Sequence, residues 1–161
     1  MDYLAHGLWS YIVFHKIKKV WYAVFFGLLP DNLSWAVYLI YSLFTNGFNF
    51  GAPVVSEIPN WVFALYNVSH SLIVASFFII LFGFIYKKII VYMLAWPMAI
   101  LMDVISHTRD FLPTPFLWPL TDWKFDGVSW GSPKFMIINY VLITIGLIYV
   151  LLRKRESYKR M

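Results

Sequence analysis

Apolar residues run almost unbroken over positions 20–45, 61–86, 89–108 and 134–152. A helix crossing a bilayer needs roughly 20 apolar residues, so these runs predict four spanning helices. The first run is overlong and contains Pro30-Asp31-Asn32, where the proline lacks a backbone donor and favours a break. Residues 3–15 are apolar too but too few for a full crossing, which predicts a partial or tilted helix entering the bundle. The expected architecture is all-α: a polytopic transmembrane bundle of about four to six helices. It forms one integral-membrane domain over 1–161, with a Pro/Trp-rich extramembrane loop at 109–133 and a basic tail at 153–161.

Composition agrees with this pattern, since 61% of the 161 residues are hydrophobic, 21% aromatic and only 13% charged. No cysteine is present, which removes disulfides and thiolate metal sites from consideration. No basic residue precedes the first apolar run, so a cleavable signal peptide is not expected. The net charge of +5 would fit nucleic acid binding, but the basic residues sit where runs end. They are Lys16, Lys18 and Lys19, then Lys87 and Lys88, then Arg153, Lys154, Arg155, Lys159 and Arg160. Juxtamembrane clusters of this kind set orientation or meet anionic lipid, and no nucleic acid partner is expected. By the positive-inside rule all three clusters, with the C-terminus, are cytoplasmic, and the loops 46–60 and 109–133 lie outside the cell (inner) membrane.

This orientation turns position into depth at ~1.5 Å per helical residue. Asp31 falls about 12 residues from Lys19, or ~18 Å, near the middle of the membrane. His70 is roughly 15 Å below the outer boundary at Asn60, Asp103 and His107 lie in the outer half, and His6 starts near the outer edge. Five ionisable groups thus gather between midplane and outer surface, where such groups are costly and generally face a cavity or one another. Three histidines and two carboxylates make a mixed N/O donor set that suits zinc, with manganese as the alternative. Asp103 and His107, four apart in an apolar run, share one helical face and reach one ion together.

Each residue also has a plainer explanation. A histidine in a spanning helix commonly makes a helix–helix hydrogen bond. Asp31 after Pro30 would serve as the N-cap of a second helix half from Asn32 to Phe44, and Asp103 with His107 would be a buried ion pair. His15, beside the Lys16–Lys19 cluster, reads as a headgroup-level residue.

The stretches "AHGLW" (5–9), "GLLPDN" (27–32), "YNVSHSL" (66–72), "LMDVISH" (101–107) and "TPFLWPLTDWKFDGVSWG" (114–131), in that order, resemble the membrane-bound metal-dependent hydrolases. That family is also described as inner-membrane-associated, LexA-binding hydrolases. The resemblance implies a compact polytopic helical protein with a metal site at His6, Asp31, His70, Asp103 and His107, and hydrolysis of an undefined substrate. The chain departs from the family pattern in three places. Leu33 stands where a second Asp is common, Leu65 and Tyr66 where a His-Arg pair is common, and Ala99 where a His is common. These departures imply one ion rather than two or three.

The expected chemistry is hydrolysis by a metal-activated water, with Asp31 and Asp103 as the catalytic carboxylates and Asp31 the preferred general base. Ser69, Ser71 and Asn67 are placed to supply supporting hydrogen bonds. Ser71, Asn67 and Arg109 are the expected substrate contacts, Arg109 meeting an anionic head group. The proline- and tryptophan-rich loop 109–133 starts two residues after His107 and is expected to cover the site as a lid, or else to anchor the bundle as an interfacial aromatic belt. Depth points to a lipid or headgroup-level phospho- or acyl-ester as substrate, with membrane lipids as surroundings. Two other classes fit the same residues: a non-catalytic scaffold or partner-binding subunit with a structural polar cluster, and an ion carrier. A carrier needs access from both sides, whereas these groups crowd toward one.

Overall fold

The computed structural model describes residues 1–45 and 55–159, so most of the expected loop 46–60 and the end of the basic tail, 160–161, lie outside the described residues. Helix α1 is Tyr3–Val13. Val20–Asp31 (α2) continues through a π-helical turn, Asn32–Ala36, into Val37–Thr45 (α3). Then come Asn60–Ser69 (α4), Leu72–Tyr86 (α5), a 3-10 turn Val91–Leu94 leading into Ala95–Ser106 (α6), and Pro133–Lys159 (α7). Among the described residues there is no β-strand, only an isolated bridge between Thr108 and Phe111.

The expected all-helical fold is found, with finer differences in the spans. Val20–Thr45 and Pro133–Arg155 are each long and apolar enough to cross a membrane. The run 61–86 is two helices bent by 53° between Ser69 and Leu72, and counts as a third span if the pair is taken together. The run 89–108 gives only the shorter apolar helix Val91–Ser106, because its last residues are captured by the loop that follows. Residues 3–15 form the short helix expected of them, α1, whose start is capped by Asp2: Oδ1 accepts from the Ala5 N–H at 3.0 Å.

Small residues fill much of the interior, while many large apolar residues face outward. Ala5, Ala23, Ala75, Ala95 and Ala99 are buried, together with Ser10, Ser34, Ser69, Ser71 and Ser106. Phe44, Phe84, Ile80, Ile89 and Trp21 are exposed, Phe44 at 87% and Phe84 at 84%. Small residues let helix backbones approach closely, which is how helices associate when their outer faces need not leave an apolar solvent. Gly27 shows how tight the approach is: a Cβ there would stand 1.9 Å from Ser10 Oγ. The Ser10 hydroxyl itself donates to the His6 carbonyl at 2.7 Å. The α1–α2 crossing therefore sits directly beneath His6. Trp96, Ile100 and Ala75 form a core cluster, with Phe26, Leu29 and Phe116 packed against it.

The basic segments meet at the opposite end of the bundle. Lys154 Nζ donates to Tyr11 Oη at 2.7 Å, Lys19 Nζ stands 5.4 Å from the centre of the Tyr22 ring, and that ring packs on Tyr92 at 5.3 Å. Tyr11 packs in turn on Trp21, and Lys88 lines one groove with Trp21, Tyr22 and Tyr92, so the segments containing Lys19, Lys88 and Lys154 share one end, as charge placement led one to expect.

Candidate functional site

Three of the five expected site residues occur where helical regularity fails. Asp31 ends α2 at the π-helical turn, His70 caps α4 at the α4–α5 elbow, and His107 caps α6 in extended conformation. Irregular backbone deep in an apolar bundle is tolerated where it is buried in protein or lines a cavity, and π-turns recur at functional sites. Pro30 starts the first irregularity: it has no N–H to donate, and Ser34 Oγ donates to its carbonyl at 3.0 Å. The capping reading of Asp31 is not what is found. Asp31 is itself helical and makes no side-chain cap bond.

The five side chains converge. His6 Nε2 lies 3.0 Å from Asp103 Oδ1 and 4.0 Å from Asp31 Oδ2. His70 Nε2 lies 3.5 Å from both Asp31 Oδ1 and Asp103 Oδ2. His107 Nε2 is 4.0 Å from Asp103 Oδ1. The Met1 ammonium contacts Asp103 Oδ1 and approaches His107 Nε2 at 3.3 Å. His6, His70 and Asp103 are buried, and Asp31, with 15% of its side chain exposed, is the more accessible of the two carboxylates.

All three imidazoles thus turn Nε2 inward, and two of them are held from behind through Nδ1. His70 Nδ1 faces the Tyr66 carbonyl at 3.2 Å and Ser69 Oγ at 2.9 Å. Ser69 Oγ donates to that same carbonyl at 3.4 Å. A carbonyl only accepts, so Nδ1 of His70 carries a proton and donates it there. Nε2 faces two carboxylates and is buried with no hydrogen-bond partner. His107 Nδ1 is met by Tyr66 Oη at 3.3 Å and Thr114 Oγ1 at 3.2 Å, while the Tyr66 hydroxyl donates to the Leu112 carbonyl at 3.1 Å. The Tyr66 ring stacks on His70 at 4.0 Å. One tyrosine therefore orients two histidines from different helices.

Asp103 and His107 do not share a helical turn as their spacing predicted. The α-helix stops at Ser106, and His107 has φ −111 and ψ 142, its N–H still donating to the Asp103 carbonyl at 2.9 Å. The returning loop causes this. Gly127 N–H donates to the His107 carbonyl at 2.8 Å and Val128 N–H to that of Ile105 at 2.8 Å. A Cβ on Gly127 would stand 2.2 Å from the Ile105 oxygen, so only glycine allows the approach. The loop 109–133 is also tied to the α4–α5 elbow, where Leu72 N–H donates to the Phe116 carbonyl at 2.9 Å and Ser71 Oγ to that of Trp118.

The other expected residues are placed as follows. Ser71 Oγ caps α5, accepting from Ile73 and Val74 N–H at 3.1 and 3.2 Å, besides its bond to the loop. Asn67 is half-buried on α4 beside Tyr66. Arg109 is exposed, with its Nε donating to the Lys124 carbonyl at 3.2 Å and its backbone N–H to Asp126 at 2.9 Å. An open cavity of about 370 Å³ lined by Arg109, Pro113, Asp122, Trp123 and Lys124 lies on the loop. His15, read as a headgroup-level residue, donates from Nδ1 to the Ile12 carbonyl at 2.7 Å and packs on Tyr149, away from the cluster.

Tyr66 and Thr114 are the supporting residues that sequence reasoning missed. Tyr66 carried a signal, since it precedes His70 by one helical turn on the same face. Thr114 carried none, because only the path of the loop brings it to His107.

Among the described residues, no three His, Asp or Glu side chains are disposed to hold a metal ion as they stand. The donor set has the composition for one, and the arrangement is closed instead by hydrogen bonds and the Met1 ammonium. No family model, curated protein or solved structure matches the chain.

Proposed function

We propose that the chain is an integral membrane protein of the inner membrane and a metal-dependent hydrolase, acting on a lipid or headgroup-level phospho- or acyl-ester. The observation that carries this reading is His70 Nε2, buried without a hydrogen-bond partner, standing 3.5 Å from carboxylate oxygens of both Asp31 and Asp103. With a neutral imidazole there, a ring nitrogen and two carboxylates would meet as acceptors in a buried site, an arrangement that a cation between them relieves. His6, Asp31, His70, Asp103 and His107 would hold a divalent cation, zinc by donor chemistry and manganese as the alternative. When bound, such an ion supplies Lewis acidity, making water acidic near neutral pH and polarising the ester.

The chain's own residues divide the remaining work. Asp103, buried among the histidines, holds charge at the centre. Asp31, more accessible, is the group to take a proton from water. Tyr66, Thr114 and Ser69 keep the rings of His70 and His107 aimed inward, the part that groups behind metal-binding histidines play. The loop 109–133 closes the site, and Arg109 with Lys124 at its cavity favours an anionic head group.

The test is elemental analysis of the purified protein, with lipid phosphoesters and acyl esters assayed before and after chelation. Stoichiometric metal with chelator-sensitive turnover is expected, and a metal-free protein without turnover would remove the proposal. A second reading, a scaffold whose polar cluster is structural, draws on the hydrogen-bonded closure seen here. It requires a folded, metal-free protein whose cluster variants lose stability alone.

A further inference from the structure

A second site lies at the other end of the bundle. An open groove of about 660 Å³ runs between α2, α5 and the 3-10 turn before α6, and none of the five clustered residues lines it. The volume is that of a small-molecule or single-chain pocket. Its walls include Trp21, Phe25, Phe82 and Tyr86, with Met93 buried beneath. The walls are braced by ring contacts: Phe26 stacks on Tyr92 at 5.7 Å and Phe82 on Tyr86 at 6.3 Å. The groove is therefore preformed.

The rim carries the opposite chemistry. Lys88 lines the groove, and Lys19 stands over the ring of Tyr22, which lines it as well. Lys88 is fixed there by the end of α5, where Lys87 turns left-handed at φ 51 and Lys88 N–H donates to the Gly83 carbonyl at 3.1 Å. An aromatic trough with Lys88 in its lining and Lys19 over one of its rings complements a molecule with an apolar chain and an anionic head. We propose that this groove is a binding site for an anionic phospholipid, the acyl chain lying along Trp21 and Phe82 and the phosphate meeting Lys88 and Lys19. The inference is independent of the hydrolase reading, because it uses none of the clustered residues and no metal.

The test is native mass spectrometry of the full chain in detergent with dioleoyl phosphatidylglycerol and dioleoyl phosphatidylcholine in equal amounts. Preferential retention of one phosphatidylglycerol is expected. Lys88→Glu, at an exposed position, should lower the glycerol-to-choline retention ratio at least about fivefold, and Trp21→Ala should lower retention of the same lipid. Lys134→Glu, exposed at the start of α7 and outside both sites, should leave the ratio unchanged. Equal retention of the two lipids, an unaltered ratio in Lys88→Glu, or displacement of the lipid by equimolar glycerol phosphate would each overturn the proposal.

Discussion

Tyr66 stacks on His70, the residue that caps its own helix, and reaches His107 with its hydroxyl, at 4.0 Å between ring centres and 3.3 Å to Nδ1. One side chain thus couples the α4–α5 elbow to the end of α6. Removing only its hydroxyl, as in Tyr66→Phe, keeps the stack and leaves His107 Nδ1 with Thr114 alone. A 10- to 100-fold fall in metal affinity, of the order seen when supporting bonds are cut, with a stability loss of ~1 kcal/mol, is expected. Metal titration followed by elemental analysis measures the first, and thermal unfolding in detergent the second. An unchanged affinity would separate Tyr66 from the site.

The two carboxylates should behave differently. Asp103→Ala removes the group that contacts His6 and the Met1 ammonium, so bound metal should fall to background. Asp31→Asn, at the more accessible position, should retain most of the metal while turnover is lost. Parallel elemental analysis and ester hydrolysis of both variants checks this split, and equal metal loss in both would refute the assignment of Asp31 as base.

Gly27 and Ser10 are a packing pair. Gly27→Ala places a methyl 1.9 Å from Ser10 Oγ and 2.9 Å from its Cβ, and a cost of ~1–3 kcal/mol is expected for overpacking. Adding Ser10→Gly should recover part of that loss. Melting temperatures of the two single variants and the double variant decide it, and additive losses in the double variant would show that the contact is not the cause.

The loop approach at Gly127 is backbone to backbone, with no flexible side chain to yield. Gly127→Ala should detach the loop from Ile105 and His107 and loosen the backbone around Arg109 and Lys124. Faster trypsin cleavage within 109–133 than in wild type is the expected readout, while the helical circular dichroism stays unchanged. Equal cleavage rates would show that the loop docks without this contact.

Orientation can be read directly because the chain has no cysteine. Single substitutions Ser129→Cys, on the loop, and Lys88→Cys, at the basic end, are both exposed. An impermeant thiol reagent should label the first in intact cells and the second only after lysis. Labelling of both, or the reverse order, would overturn the proposed orientation.

Much of the site was legible because its chemistry is scarce. The chain has four histidines and eight acids in all, so each polar group within an apolar run stood out. His6, Asp31, His70, Asp103 and His107 were found on that ground. Helix ends were less legible: a uniformly apolar stretch such as 89–108 gives no signal of where hydrogen bonding to a distant loop will take over from the helix. Thr114 was invisible for the same reason, since a threonine among prolines has no periodicity to betray its partner.

The sequence by itself determined the helical class, the bundle's two chemically distinct ends and the identity of the ionisable groups. These follow from local hydrophobicity and from the cost of charge in an apolar medium, which act residue by residue. Tertiary structure decided which ring nitrogens turn inward, that His107 leaves the helix, and that Tyr66 serves two histidines. Those outcomes depend on contacts between segments far apart in the chain, such as Gly27 against Ser10 and Gly127 against Ile105. Their geometry is set by how closely backbones can approach, a property of pairs of segments that no single stretch contains.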